Sequence, residues 1–157
     1  MSIVVRPATE ADVPDMSRVL IASIVELCDA DHGHAPARLA TWTANKTPEG
    51  VSAMLANPQL TLFVAEWEGR VAAVGAIVPA HGEVSLNYVD PAARFRGVSK
   101  ALLATLEAEL RRHGVVEAQL TSTATARAFY QGTGWAEAAA PVACMGGEGH
   151  RMRKRLL

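Results

Sequence analysis

The chain has two cysteines, Cys28 and Cys144, far apart and in no CxxC arrangement. That excludes a disulfide framework and makes a reducing compartment the expectation. Net charge is also nearly missing, at −1 over 157 residues. Without a broad basic surface, nucleic acid is not an expected partner. No apolar run is long enough to cross a bilayer: the longest, Val71 to Ala80, is broken by Gly75 and Pro79. The start of the sequence runs straight into Ile3-Val4-Val5-Arg6-Pro7, without the charged and apolar regions of a signal peptide. There is no internal repeat, linker or low-complexity tract, and no P-loop GxxxxGKS/T or dinucleotide-binding GxGxxG. The expectation is one soluble, cytoplasmic domain over residues 1–157, with no membrane partner.

What is present is ordinary globular composition, 50% hydrophobic and 20% charged, in which helical and strand periods alternate. Ile3–Arg6 reads as a strand stopped by Pro7. Thr9-Glu10-Ala11-Asp12 is a variant capping box. Val13, Met16, Leu20, Ile24 and Leu27 then follow at helical spacing to about Cys28. Asp29 to Pro36 has no period and reads as a loop. Helices are expected over Ala37–Ala44 and from Thr47-Pro48 to just before Asn57-Pro58, proline being suited to a first helical position. Leu60–Trp67 and Arg70–Val78 form a hairpin through Glu68-Gly69, and His81-Gly82 turns the chain into a strand over Glu83–Val89. A strong helix starts at Gly97 and stops at Gly114. Strands are expected at Val115–Thr121, Trp135–Ala140 and His150–Leu156, with a short helix over Thr123–Gly132 after the first of them. The tail strand places Arg151, Arg153 and Arg155 on one side, as a solvated face that discourages edge pairing.

The segment from Tyr88 to Leu103 carries chemistry. A strand ends in a proline turn that opens into a helix whose first residues include Gly97 and Ser99. A helix start offers backbone N–H groups without intrahelical partners and the positive end of the dipole, which suits a diphosphate. Gly97 and Ser99 allow close approach, and Arg94, Arg96 and Lys100 add charge that an anion would offset. Capped helix and solvated arginines is the plainer alternative.

Val89-x-Pro91-x-x-Arg94-x-x-Gly97-x-Ser99 resembles the acyl-CoA pyrophosphate loop of the GNAT acetyltransferase superfamily, Q/R-x-x-G-x-G/A, with Ser99 in place of glycine or alanine. Downstream, Thr123-Ala124-Thr125-Ala126-Arg127-Ala128-Phe129-Tyr130-Gln131-Gly132-Thr133-Gly134-Trp135 resembles that family's N-x-x-A-x-x-F-Y-x-x-x-G-F segment, with Thr123 for asparagine and Trp135 for phenylalanine. The order of elements agrees over nearly the whole chain. The resemblance implies an α+β fold: a single GNAT-like domain with a central mixed, mostly antiparallel twisted sheet of about seven strands, flanked by helices and splayed between strands 4 and 5. It implies acetyl-CoA as co-substrate and transfer to a primary amine, a small-molecule or amino acid-like acceptor, by direct attack in a ternary complex. A non-catalytic acyl-CoA-binding domain is the alternative, and a homodimer is a common assembly in such families.

The resemblance assigns cofactor contacts to Tyr88, Val89, Arg94, Phe95, Arg96, Gly97, Val98, Ser99, Lys100, Thr123 and Arg127. It makes Tyr130 the acid for the departing thiolate, against the alternative of a packed core tyrosine. The backbone N–H of Asn87 would polarise the thioester carbonyl. Strand alternation places Glu83, Ser85, Asn87 and Val89 on one face and Val84, Leu86 and Tyr88 on the other. That polar face suits a cleft, and the resemblance makes Glu83 a candidate base, with a water chain as the other option. The loop bearing Asp29, Asp31 and His32 falls where the family builds its acceptor pocket, although capping aspartates in a solvated loop explain it equally. His32-x-His34 lacks a third ligand at a fitting spacing, so no metal is expected.

Overall fold

The computed structural model describes residues 2–144 and 147–157. Its strands are β1 (Ile3–Pro7), β2 (Thr61–Trp67), β3 (Arg70–Val78), β4 (Glu83–Val89), β5 (Glu117–Ser122), β6 (Ala136–Glu137), β7 (Val142–Cys144) and β8 (Gly147–Arg155). The helices are α1 (Val13–Leu27), α2 (Asp29–His32), α3 (Pro36–Thr43), α4 (Pro48–Ala56), α5 (Val98–Arg112) and α6 (Arg127–Gly132). The sheet runs β1-β2-β3-β4-β5-β8-β6, with β7 paired onto β8 off that path. Every pairing is antiparallel except β4 with β5.

Local chemistry accounts for most boundaries. Glu68 and Gly69 both take positive φ (53° and 76°), the geometry a two-residue hairpin turn needs. Thr47 caps α4 through its hydroxyl, which accepts from Gly50 N at 3.1 Å, with Pro48 in the first turn. At the other end of α5, Gly114 has φ 81° and ends the helix.

β3 is buried from Val71 to Val78 because helices cover both faces of the sheet. On one face Leu102, Leu103, Leu106 and Leu110 of α5 pack against Phe63, Ala73 and Ile77. On the other, Met16, Val19 and Leu20 of α1 meet Leu62, Val64 and Val74. Each such side chain contributes about 1.5–3 kcal/mol on burial. Gly75 sets how closely α5 approaches: a Cβ there would lie 2.9 Å from Leu106 Cδ1.

The capping box forms around Asp12, which accepts from Thr9 N at 2.8 Å and from both terminal nitrogens of Arg6 at 2.8 and 2.9 Å. This fork ties β1 to the start of α1. The Arg6 hydrogen bonds lower the Asp12 carboxyl from 3.8 to about 2 despite its burial. Because the folded value lies below the unfolded one, the stabilisation is present above pH ~4 and disappears as pH falls towards about 2. Asp12→Asn should cost up to about 2 kcal/mol near neutrality and flatten the acid limb of a urea-melt pH profile. An unchanged limb would exclude Asp12 as its source.

Several expectations need correction. The stretch expected to be a loop from Asp29 contains α2, closed by Gly33 in the left-handed region. It has no period because tertiary hydrogen bonds hold it. The strand expected over Trp135–Ala140 is only Ala136–Glu137, since Trp135 is buried with its indole N–H on Glu107 Oε2 at 3.1 Å. The basic tail strand is not an edge, for β8 lies between β5 and β6. Its inward residue Lys154 bonds Glu107 Oε1 at 2.8 Å and Thr133 O at 2.7 Å.

Candidate active site

β4 and β5 run parallel yet share a single register pair, Glu83 with Gln119, beside which Gln119 N donates to Gly82 O at 2.8 Å. Beyond that point the two strands have no pairing, and a cleft of about 320 Å³ opens between them. Its walls are β4 from Val84 to Val89, the loop and first turn leading into α5, β5 from Leu120, and α6 with the turn before it. Ser23 and Leu27 of α1, with Cys28 just after it, close the remaining side. A strand edge without a neighbour can hydrogen-bond an extended ligand arm as an added strand would.

One end of the cleft is an anion cradle. Asp90 caps the turn Pro91–Ala93 by accepting from Ala92 N at 3.0 Å, and Arg18 of α1 holds the same carboxylate at 2.7 Å. The chain then enters α5 through Gly97, with φ 80° and no side-chain cap. The first amides of α5 are therefore left to a ligand, at the positive end of the dipole. Nothing lies within 4 Å of a Cβ built on Gly97, so a ligand can approach this backbone. Arg94, Phe95, Gly97, Val98, Ser99 and Lys100 all line the cleft. Phe95 is 89% exposed and has φ 62°, a strained conformation for an aromatic residue, with the Arg94 guanidinium 4.7 Å above its ring. Arg96 is not in the lining; its guanidinium sits 5.5 Å from the Trp67 ring.

At the other end Tyr130 meets Asn87. The Tyr130 ring is held edge-on by Phe129 and Trp135, and its oxygen accepts from Asn87 Nδ2 at 3.2 Å. Burial pushes the phenol up to about 12, and the Asn87 hydrogen bond offsets this only in part. Neutral Tyr130 thus keeps its own proton to donate. Asn87 Oδ1 is buried and has no protein partner, and an acceptor in that state favours a ligand N–H. Cys28, also in the wall, is an inert thiol: burial, with Asp31 and Asp29 nearby, pushes it up to about 12.

The turn that aims Tyr130 is built by remote contacts. Thr123 Oγ1 accepts from Ala126 N at 3.1 Å, so Thr123 does cap this turn. Asp31 reaches across to Ala124 N (2.6 Å), Thr125 N (3.2 Å) and Thr125 Oγ1 (2.5 Å). Asp31 is therefore committed to the backbone of this turn. Asp31→Ala strands these donors, a loss of about 1–3 kcal/mol. It should lower the melting temperature and speed amide exchange at Ala124 and Thr125; unchanged exchange would remove Asp31 from this task.

Other expected site residues lie elsewhere. His32 is fully buried, with Nε2 on Ile24 O at 2.7 Å and Nδ1 accepting from His34 N at 2.9 Å, while Asp29 is exposed. None of the three lines the cleft. Arg127 is outside it too and pairs with Glu137. Glu83 stays outside because β4 is still paired with β5 at that residue, before the cleft opens, and the strand beyond it does not alternate as expected. Leu86 pairs with Ala76 and Val84 with Ile77, leaving Ser85 as an extra, bulged residue. Val84 consequently packs on the α5 face, whereas Leu86 and Tyr88 pack on the α1 face. Among the described residues no group of three or more His, Cys, Asp or Glu is placed to hold a metal ion, and no helix is long and apolar enough to cross a membrane. Sequence reading missed the α1 wall. Its signal was Ser23, Leu27 and Cys28 at helical spacing, two of them small polar residues on an otherwise apolar face.

The sequence matches the family model described as an acetyltransferase (GNAT) domain over residues 15–156. No curated protein matches it. Solved structures that share its fold include a GCN5-related N-acetyltransferase of Rhodopseudomonas palustris, at TM-score 0.85 and 19% identity, covering 99% of this chain and 96% of that one. A PaiA N-acetyltransferase of Thermoplasma acidophilum in complex with coenzyme A superposes at TM-score 0.81 and 17% identity, covering 99% of each chain. A ribosomal-protein-alanine N-acetyltransferase of Brucella melitensis superposes at 0.71 and 23% identity, covering 97% of this chain and 99% of that one.

Proposed function

The chain belongs to the GNAT acetyltransferase family, and on that premise we propose that it transfers the acetyl group of acetyl-CoA to a primary amine by direct attack in a ternary complex. One observation carries this reading: a single cleft joins the uncapped start of α5 at Gly97 to the Tyr130–Asn87 pair. Acetyl-CoA, when bound, supplies an acyl group activated as a thioester. The amides at the start of α5, with Arg94 and Lys100, suit its diphosphate, and the unpaired edge of β4 suits its extended arm. In this reading the backbone N–H of Asn87, in the cleft wall, polarises the carbonyl. The amine nitrogen forms the C–N bond as the C–S bond breaks. Tyr130 gives its proton to the departing sulfur, and the proton shed by the nitrogen returns through water to the Tyr130 oxygen. That Glu83 lies outside the cleft lining supports water as the carrier of that proton. The net charge of −1 favours a small-molecule acceptor over a nucleic acid.

The test is a calorimetric titration of acetyl-CoA into the protein at moderate salt, followed by thiol release with a panel of amines. Saturable one-to-one binding and amine-dependent release are expected. Binding without release by any amine would make the chain an acyl-CoA-binding module. No binding would remove the reading altogether.

A further inference from the structure

The cleft wall narrows the choice of amine. Among the described residues no Asp or Glu lines it, and the residues outside that description, Met1, Met145 and Gly146, are not acidic. The charged side chains that do line it, Arg94 and Lys100, are both cations. Of the acidic groups near it, Asp31 holds the turn before α6 and Asp90 holds Arg18 and Ala92 N, while Asp29 and Glu83 lie next to wall residues but outside the lining. The rest of the wall offers neutral groups, among them Ser23, Leu27, Cys28, Ser85 and Leu86.

An alkylammonium ion entering this space gives up its water and gains no counter-charge, which is strongly unfavourable. A free amine avoids this cost, but its share of the population falls tenfold for each pKa unit above the ambient pH. A lysine-type amine titrates near ~10.4 and an α-amino group near ~7.7–8.0. Their neutral fractions at pH 7 therefore differ by about 300-fold.

Resting on the transferase reading above, we infer that the site takes a weakly basic primary amine in its neutral form, the α-amino group beside a carbonyl in an amino-acid amide or peptide terminus, and discriminates against lysine-type and polyamine-type alkylamines. A neutral amine needs no strong base in the wall. It arrives with its lone pair free, and only the proton released on C–N bond formation has to leave. Hydroxyls such as that of Ser23 can accept from its N–H groups without bringing charge into the cleft.

The experiment compares kcat/KM by thiol release for alaninamide, trialanine and Nα-acetyl-lysinamide between pH 6.5 and 9.5. At pH 7 the α-amines should lead by at least ~100-fold. The gap should then narrow by about tenfold per pH unit once the α-amine is fully deprotonated. Equal rates at pH 7, or a gap that ignores pH, overturns the inference. Alaninamide against trialanine separates a free small acceptor from a polypeptide terminus. In a second arm, Ser85→Glu places a carboxylate in the wall at an exposed, bulged position that tolerates it. It should raise kcat/KM for the lysine-type acceptor by about tenfold or more and change the α-amines much less; no such gain counts against the inference. Release with Nα-acetyl-lysinamide alone sinks the inference and keeps the transferase. No release with any amine takes down both.

Discussion

Tyr130→Phe should lower kcat by about 10²–10⁴-fold while acetyl-CoA affinity hardly moves. The ring keeps its place in this variant, because Phe129 and Trp135 hold it edge-on and neither contact uses the hydroxyl. What disappears is the proton aimed into the cleft and the acceptor for Asn87 Nδ2. The second loss costs roughly 1 kcal/mol of stability, enough for a small shift in melting temperature and too little to unfold the domain. The wild-type enzyme should show no loss of rate from Tyr130 ionisation below about pH 11, since burial holds the phenol near 12. Steady-state thiol release and a calorimetric Kd, measured on the same preparation, separate the two effects. An unchanged kcat would remove Tyr130 from the chemistry and leave it as a packing residue.

Gly97→Asp should abolish acetyl-CoA binding, raising Kd by more than ~100-fold, because a carboxylate would occupy the anion cradle at the start of α5. The fold should survive. No atom lies within 4 Å of the new Cβ, and the cost of φ 80° for a non-glycine residue is about 1–2 kcal/mol. A carboxylate near a helix N-terminus recovers about 0.3–1 kcal/mol of that. Gly97→Asn is the control, since it imposes the same backbone strain and nearly the same bulk without the charge. Calorimetry on both variants, alongside thermal melts, should show the asparagine variant retaining measurable affinity and the aspartate variant none. Retained affinity in Gly97→Asp would place the diphosphate elsewhere.

Most of the chain's course is written in short-range patterns. Apolar residues at helical spacing from Val13 to Leu27 and from Val98 to Leu110 give α1 and α5 their buried faces. Thr47-Pro48, Glu68-Gly69 and Gly97 mark boundaries because capping and positive φ depend on a few adjacent residues. The two motifs around Gly97 and Tyr130 are legible for the same reason. Each is one strand-turn-helix or turn-helix unit, and the cleft does bring both together.

The misreadings share a different origin. Ser85 bulges out of the pairing with β3, and that one extra residue moves Val84 to the α5 face, while the pairing of Glu83 with Gln119 holds Glu83 below the opening of the cleft. Asp31 is held by amides 93 and 94 residues further along the chain, and Glu107 by Trp135 and Lys154. The sequence by itself determined the helices other than α2, the hairpin, the uncapped helix start at Gly97 and the family, since each follows from neighbours within a few residues. Only the tertiary structure decided which carboxylates are free to act. A buried charge must find partners wherever the fold provides them, and for Asp31 and Glu107 those partners lie far away in sequence; among the described residues no carboxylate lines the cleft.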